Sequence, residues 1–432
     1  MSHPARATSP ALGIDASQAS QVRRTGVGQM AMGLIQALKD LVPSTVAVRL
    51  YSHHPLSGPL AELPPNWSSA VLRWPSNRLW PQIRLALALR RQAPAVLLSP
   101  SHLLPWSGRP RMVAILHDIG FQRVDALYGT DQLAIGPNGL AARGADGVVR
   151  LFSGGRYRAC EQDYHRWSLA QAMGRASRLV TCSEFSREEI RAAYPNNRLP
   201  IEVIPWTIAA DRFVAPCPPE ARAAARRRYG IEGRYVLFVG RLERKKNVRL
   251  LVEAYARLRQ LDSVPRSLVL AGNPGAGYED IRAQIARCRL GSQVIETGWF
   301  ADDDLPALMQ EADLFVFPSL YEGFGLPILE AQSAGTPLVC SDLPVMREVA
   351  GEGAAYFIAD SADDLARAAL RLLNSAAERE ARVAAGRINA ARFTWHRTAT
   401  AYWELLANEL ALAGRPPDHQ AGRAPGAVGQ PP

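Results

Sequence analysis

A glycine loop near residue 322 combines two carboxylates with a potential anion-binding site. Glu322 and Glu330 flank this loop, which follows an apolar run typical of a short buried strand, Leu314-Phe-Val-Phe-Pro318. Gly323 and Gly325 allow backbone amides to approach a ligand, and the nearby proline suits the first turn of a helix. The first amides of such a helix attract an anionic group. Because two carboxylates repel a phosphate unless each binds hydroxyl groups, the pattern favours a ligand that carries both phosphate and sugar.

Two further candidate sites lie in the first half of the chain. A glycine turn, Arg24-Thr-Gly-Val-Gly28, separates the predicted first strand from a predicted helix over residues 29–41, and Gly26 and Gly28 can offer amides to an anion. His117 ends a predicted buried strand, and open α/β sheets bind ligands at the carboxyl ends of their strands. Both stretches therefore indicate ligand contacts from a second domain.

The spacing of these motifs resembles that of a known enzyme family. The Glu-x7-Glu spacing with its internal Gly-Phe-Gly, followed by Ala334-Gly-Thr-Pro337 and Glu348-Val-Ala-Gly351, is similar to the donor half of retaining glycosyltransferases of family 4. The resemblance covers about residues 12–410. It implies an α/β fold of the GT-B type, in which two Rossmann-like doubly wound domains face each other across a cleft.

Two departures from the family pattern concern a loop and a hinge. The family often has an arginine and an aromatic residue after the second glycine of the first loop, where this chain has Gln29 and Met30. It commonly has Asn-Gly after the proline that precedes the linker, where this chain has Trp206 and Thr207. We therefore expect the backbone role of the first loop to be kept, with different side-chain contacts there and a different hinge.

The resemblance also implies a role for each candidate residue. Arg241 and Lys246 match the pair that neutralises the leaving diphosphate. Glu330 holds the ribose hydroxyls, Glu322 addresses the donor sugar, and His117 approaches the transferred sugar from the other domain. The family keeps the anomeric configuration without an established carboxylate nucleophile, so the two-carboxylate mechanism of glycosidases is not expected. The implied catalytic residues are His117, Arg241, Lys246 and Glu322. The implied donor-binding residues are Gly26, Gly28, Gly240, Arg241, Lys246, Glu322, Gly323, Phe324, Gly325, Leu326 and Glu330.

Alternating strand and helix patterns occur in two runs joined near residue 206, which indicates two doubly wound domains. The predicted division is a disordered leader over 1–11, an acceptor-side domain over 12–205, a nucleotide-sugar domain over 206–393, a helix over 394–413 that returns to the first domain, and a disordered tail over 414–432. Residues 128–162 are rich in glycine and predict a long loop.

Charge is unevenly distributed along the 432 residues. Residues 1–200 hold 23 Lys and Arg against 12 Asp and Glu, whereas residues 201–432 hold 27 against 28. All of the net charge of +10 therefore lies in the first half. This favours an anionic partner there, such as an anionic membrane surface or a lipid phosphate, over nucleic acid, for which no binding motif is present.

The remaining composition predicts a cytoplasmic protein, placed in part at the inner face of the membrane. No apolar run approaches the roughly 20 residues that span a bilayer, and the first residues lack a secretory core. The five cysteines have no metal-ligand spacing, as expected for free thiols in a reducing compartment.

We expect no metal cofactor. The one tight acidic cluster, Asp302-Asp-Asp304, precedes a predicted helix and suits helix capping. Neutralisation of the leaving diphosphate then falls to Arg241 and Lys246.

Three functions agree with this sequence. The first is transfer of a hexose to a glycan or lipid-linked acceptor in cell-surface polysaccharide synthesis, with GDP-mannose favoured over UDP-glucose as donor. The second is another enzyme on the same fold, a nucleotide-sugar epimerase or a glycan phosphorylase, although a phosphorylase would be far longer. The third is non-catalytic binding of a sugar nucleotide, which the joint presence of the five polar site residues disfavours.

Overall fold

The computed structural model describes residues 11–21, 26–74, 79–106, 108, 110–128, 144, 147–148, 150–151, 153–157 and 161–414. These residues form two compact units. The first contains the described residues up to Arg123, those from 144 to Pro205, and the last helix from Trp395. The second contains residues 124–128 and Trp206–Thr394. The sequence did not predict that residues 124–128 pack with the second unit.

Thirteen strands of the described chain form two sheets, one in each unit. The strands are β1 Leu12–Asp15, β2 Val48–Ser52, β3 Trp67–Val71, β4 Val96–Ser99, β5 Arg111–Ile115, β6 Arg178–Thr181, β7 Ile201–Val203, β8 Arg234–Val239, β9 Arg266–Ala271, β10 Val294–Gly298, β11 Leu314–Phe317, β12 Leu338–Ser341 and β13 Ala355–Phe357. The order is β3-β2-β1-β4-β5-β6-β7 in the first sheet and β10-β9-β8-β11-β12-β13 in the second. Every pairing of neighbouring strands is parallel.

Helices follow most of the strands. They are α1 Gly26–Lys39, α2 Ala86–Arg91, α3 Gly120–Arg123, α4 Glu161–Arg175, α5 Glu184–Ala193, α6 Asp211–Val214, α7 Pro219–Arg228, α8 Val248–Leu261, α9 Tyr278–Arg287, α10 Leu305–Glu311, α11 Leu326–Ala334, α12 Pro344–Ala350, α13 Ala362–Asn374, α14 Ala376–Ala390 and α15 Trp395–Ala413. A π-helical turn, Trp80–Leu85, leads into α2. Parallel strands with intervening helices confirm the prediction of two Rossmann-like doubly wound units.

The apolar runs of the central strands explain why these sheets form. All four residues of β1, β4 and β11 are buried, as expected for parallel strands covered on both faces. A hydrophobic core of the second unit packs β8, β9 and β11 against α8 and α13. Both sheets therefore provide rigid carboxyl edges from which loops can present side chains.

Two helix starts of the first unit differ in how they are built. Ser183 caps α5, since its Oγ accepts a hydrogen bond from the amide of Ser186 at 3.0 Å. By contrast, α1 begins at Gly26 and not at Gln29, so Gly26 and Gly28 lie in the first helical turn and not in a preceding turn. The predicted leader, the predicted tail and most of the predicted loop over 128–162 lie outside the described residues.

The last helix belongs to the first unit and is held there by a buried carboxylate. Glu409 is fully buried, and its oxygens accept hydrogen bonds from Arg111 and Ser177 at 2.8 Å and from Arg178 at 3.0 Å. Burial alone would raise the pKa of Glu409, but these three donors outweigh that effect and hold the pKa below its ordinary value. The network fixes α15 against the amino ends of β5 and β6. In the described part of the chain, none of the helices is long and apolar enough to cross a membrane.

Candidate active site

Three loops at the carboxyl edge of the second sheet are joined by backbone hydrogen bonds. The amide of Leu242, after β8, donates to the carbonyl of Asn273, after β9, at 2.9 Å. The amide of Leu320, after β11, donates to the carbonyl of Lys245 at 2.8 Å. These bonds hold the basic loop over 240–247 and the glycine loop over 318–325 together as one surface.

Two glycines are required by the close approach of these loops. A Cβ atom at Gly272 would lie 1.9 Å from the carbonyl oxygen of Gly240, so no other residue fits between the loops after β8 and β9. Gly325 precedes α11 with a φ of +106°, and a Cβ there would lie 3.1 Å from Ile328 and 3.3 Å from Phe317. This glycine therefore allows the sharp entry into α11, whose first amides form an anion-binding end.

Glu322 and Lys246, both candidate catalytic residues, form an ion pair. The Nζ atom of Lys246 lies 2.5 Å from Oε1 of Glu322, and both side chains are largely buried, with exposed fractions of 17% and 10%. The same ammonium lies 5.4 Å from the centre of the Phe317 ring, over the last residue of β11. Because the pair is shielded from water, Glu322 holds the cation in one position beside the entry to α11.

Arg241 is placed differently from Lys246. Its side chain is 56% exposed, and its Nε atom lies 3.7 Å from the carboxylate of Glu243. A surface pair of this kind contributes little to stability, so the guanidinium can turn towards an anion at low cost. Lys246 is thus the fixed charge of the site and Arg241 the adjustable one.

Glu330 lies one turn inside α11 in a weakly solvated position. Burial raises the pKa of Glu330 to about 7, with Arg212 opposing this shift and Asp302 adding to it. Near neutral pH the carboxyl is therefore divided between its two protonation states. Hydroxyl groups that donate to the ionised form would stabilise it and favour binding of a polyol.

The Phe324 ring is part of the core and not of the exposed surface. Its ring centre lies 6.3 Å from that of Trp206 and 5.8 Å from that of Phe393. Thr207 continues this contact, because its Oγ1 donates to the carbonyl of Phe393 at 2.9 Å. Trp206 and Thr207, which replace Asn-Gly of the family pattern, thus belong to the core that supports the glycine loop. Because the Phe324 ring is part of this core, Phe324 can contact a donor only through its backbone.

The acidic cluster 302–304 does not cap α10 through its side chains. It forms a single 3₁₀ turn before the helix, and no side-chain capping hydrogen bond is present at this helix start. Two of its carboxylates accept hydrogen bonds from other helices instead: Asp304 accepts from Tyr229 at 2.7 Å and from Arg228 at 2.5 Å, and Asp303 accepts from Arg212 at 3.3 Å. The capping prediction was wrong because nearby arginines compete for these carboxylates. No group of three or more potential metal ligands occurs among the described residues.

His117 belongs to the first unit and follows β5. Its Nε2 atom lies 2.8 Å from the carbonyl oxygen of Pro100, which follows β4. Burial lowers the pKa of His117 to about 4, although the Pro100 hydrogen bond and Asp118 oppose the shift. The imidazole is therefore neutral at pH 7, and because a carbonyl only accepts, its proton is on Nε2.

The structure thus brings together all the candidate residues of the second unit. These residues lie on the loops after β8 and β11 and on α11: Gly240, Arg241, Lys246, Glu322, Gly323, Phe324, Gly325, Leu326 and Glu330. His117, Gly26 and Gly28 lie in the first unit. Sequence reasoning missed Arg212, and it missed Ser319, which is fully buried and whose Oγ has no hydrogen-bond partner within the described structure. Ser319 adjoins the motif and could have been noted from that position.

The family comparison matches the second unit. Residues 222–388 match the model of glycosyl transferases group 1. These residues are a group 1 glycosyltransferase domain. All the candidate residues from Gly240 to Glu330 lie inside this domain, and the match confirms the resemblance at the level of a group 1 glycosyltransferase domain.

Curated relatives include several named glycosyltransferases. The chain is 32% identical over 240 residues to O-antigen chain mannosyltransferase B of Escherichia coli, which covers 55% of this chain and 62% of that protein. It is 30% identical over 257 residues to the D-inositol 3-phosphate glycosyltransferase of Salinispora arenicola, and this match covers 56% of this chain and 57% of that protein. It is 34% identical over 176 residues to the serotype-specific mannosyltransferase WbdA of Escherichia coli, covering 40% and 21%. The chain thus spans less than two thirds of each of these relatives.

Solved structures match nearly the whole chain. Anabaena HepE in complex with UDP and glucose has a TM-score of 0.65 at 16% identity, over 92% of this chain and 99% of that one. WaaG, a glycosyltransferase involved in lipopolysaccharide biosynthesis, has a TM-score of 0.65 at 17% identity, over 91% and 99%. At such low identity the similarity shows the fold alone. That fold is GT-B, as the resemblance implied.

Proposed function

We propose that this protein is a retaining glycosyltransferase of the family 4 type. It would move a hexose, with mannose favoured, from a nucleotide-diphosphate sugar to a glycan or lipid-linked acceptor in cell-surface polysaccharide synthesis. The observation that carries the proposal is the buried Lys246–Glu322 pair beside the amino end of α11, within a group 1 glycosyltransferase domain. Cation, carboxylate and helix end are the three elements that a sugar diphosphate requires.

We assign the neutralisation of the leaving diphosphate to groups of the second unit. Lys246 supplies a fixed positive charge, Arg241 a mobile fork that can bind two phosphate oxygens, and the first turn of α11 oriented amides. Because Glu322 already holds Lys246 in place, little reorganisation is needed as negative charge develops on the diphosphate. We assign the donor sugar to Glu322 and the amides of Gly323 to Leu326, and the ribose hydroxyls to Glu330.

His117 acts on the transferred sugar as a neutral hydrogen-bonding group. Its low pKa excludes a role as a cation at pH 7, and its Nε2 proton is directed to Pro100. The Nδ1 atom therefore carries the lone pair that can accept a hydrogen bond from a sugar hydroxyl. No divalent metal takes part in this scheme.

The donor is proposed to be GDP-mannose. Two of the relatives are named mannosyltransferases, which supports mannose. HepE was crystallised with UDP-glucose, so a UDP-glucose-type donor with another acceptor is the second candidate. A nucleotide-sugar epimerase on the GT-B fold is the third.

Calorimetric titration with GDP-mannose, UDP-glucose, GDP and UDP tests the donor assignment. We expect GDP-mannose to bind most tightly and the free nucleoside diphosphates to bind through the same site. A preference for UDP-glucose would change the assigned donor but not the proposed type of reaction. Absence of binding by every nucleotide sugar would contradict the proposed function, and acceptor-independent release of an epimerised sugar would establish the epimerase.

Cytoplasmic action at an anionic membrane surface is proposed from the charge of the first half of the chain. Each basic residue close to such a surface contributes about 1 kcal/mol at low ionic strength, and salt screens the attraction. We expect the full chain to float with vesicles that contain anionic lipid at low salt and to be released at high salt. Neutral vesicles are the control. If the chain does not float with anionic vesicles at low salt, the positive charge of its first half does not serve membrane binding.

A further inference from the structure

Two histidines of the first unit form a partly buried pair that the proposed mechanism does not use. His102 lies on the loop after β4, and His165 lies in α4. The Nε2 atom of His102 is 3.0 Å from the Nδ1 atom of His165. The ring of Phe121 packs on both, with centre-to-centre distances of 6.0 and 5.5 Å. His102 is only 8% exposed, so the pair is a built feature of the unit and not a surface contact.

The same loop after β4 holds the ring of His117. The carbonyl of Pro100, two residues before His102, is the partner of His117 Nε2 at 2.8 Å. Between them, the Oγ atom of Ser101 accepts a hydrogen bond from the amide of Leu103 at 3.2 Å, which closes the turn. A displacement of His102 would therefore move the carbonyl that fixes the orientation and the tautomer of His117.

We propose that His102 and His165 are positioning residues for His117: their hydrogen bond clamps the loop over 100–103 to α4, and protonation of the pair releases it. This inference rests on the proposed function, in which His117 acts on the transferred sugar.

The chemistry of the pair explains why it would respond to pH. When the pair is neutral, one imidazole nitrogen donates and the facing nitrogen accepts. When both rings are protonated, two N–H groups and two positive charges face each other, and the contact becomes repulsive. The other titratable groups whose charges reach His102 are His117 and Asp118. Burial, His165 and His117 lower the pKa of His102 and keep the ring neutral at pH 7, while Asp118 opposes them.

Two substitutions at His165 distinguish the hydrogen bond to His102 from the protonation of His165. His165→Ala removes the clamp, and we expect kcat to fall on the order of tenfold with the donor KM unchanged, because misplacement of a reacting group costs turnover. His165→Gln can still hydrogen-bond to His102 but cannot be protonated. It should restore kcat at pH 7.5 and shift the acidic limb of the pH–rate profile to lower pH. His54→Ala, which alters an exposed histidine of the same unit, is the control.

Nitrogen-15 NMR of the imidazole rings provides a readout that does not depend on turnover. In the wild type and in His165→Gln we expect His117 to be a single tautomer protonated on Nε2, and in His165→Ala a mixture of tautomers. An unchanged His117 tautomer together with an unchanged pH profile in His165→Ala would overturn the proposal. Full activity of His117→Ala would contradict the proposed function instead, while the NMR comparison would still report on the clamp.

Discussion

Replacement of Lys246 with alanine is expected to lower kcat by about 10²–10³-fold, which is the usual effect of removing one preorganised group that stabilises developing charge. The reason is specific to this site. Lys246 is 17% exposed and is fixed by Glu322, so its charge acts in a poorly solvated position. Arg241→Ala should have a smaller effect, because the 56% exposed guanidinium is mobile before the donor binds.

The measurement is initial-rate kinetics of transfer for wild type, Lys246→Ala and Arg241→Ala. Arg244→Ala is the matched control, since this neighbouring arginine is exposed and paired with Asp280 at 3.2 Å. Each protein is assayed with and without excess EDTA. We expect EDTA to leave the wild-type rate unchanged. Loss of activity in EDTA that Mg²⁺ restores, with little effect of Lys246→Ala, would show that a metal supplies the positive charge.

Glu330→Gln is expected to weaken donor binding and to stabilise the free protein at alkaline pH. The amide has one acceptor oxygen in place of the two of the carboxylate, and loss of a charged hydrogen bond to ribose costs about 1.5–3 kcal/mol, or roughly 10–100-fold in Kd. The pKa of Glu330 is raised to about 7 by burial, so in the free protein this residue favours folding below its ordinary pKa and loses that contribution as the pH rises through 7. Removing the ionisable group should therefore stabilise the fold by about 1–2 kcal/mol at pH 8 and hardly at all at pH 5.

Calorimetry of donor binding and thermal unfolding at pH 5 and pH 8 test both effects. Glu380→Gln, which changes an exposed glutamate in α14, controls for the loss of charge itself. A Glu330→Gln protein with wild-type donor affinity would remove this residue from the site. If the difference in melting temperature between Glu330→Gln and the wild type is the same at pH 5 and pH 8, the carboxylate is well solvated in the free protein.

Much of the second unit could be predicted from local sequence. The run from Leu314 to Phe317, the glycines after it and the helix that includes Glu330 have local signals for strand, sharp turn and helix start, and each element formed where expected. The Glu322–Lys246 pair was harder to predict, because these residues are 76 positions apart and meet only when β8 and β11 become neighbours. The role of Trp206 depends on Phe324 and Phe393, which are even farther from it in sequence.

Other features could not be read from local patterns, because they depend on which partners compete for a group. The acidic cluster 302–304 has the composition of a helix cap, but Arg212 and Arg228 come from separate helices and bind it instead. Likewise, the predicted start of α1 at residue 29 is too late, since the helix begins at Gly26. Glycines in the first turn of a helix cannot be told from glycines in a turn that precedes it. The pair of His102 and His165 joins a loop and a helix 63 residues apart, and neither residue stood out alone.

The anomeric configuration of the product tests the central claim most directly. The wild type is incubated with GDP-mannose, and with UDP-glucose in parallel, together with an acceptor glycan, and the new linkage is examined by proton and carbon-13 NMR. We predict a glycosidic bond with the same anomeric configuration as the donor, formed in the presence of EDTA and formed far more slowly by Lys246→Ala. An inverted configuration, or release of the free sugar without a linkage to the acceptor, would contradict the account.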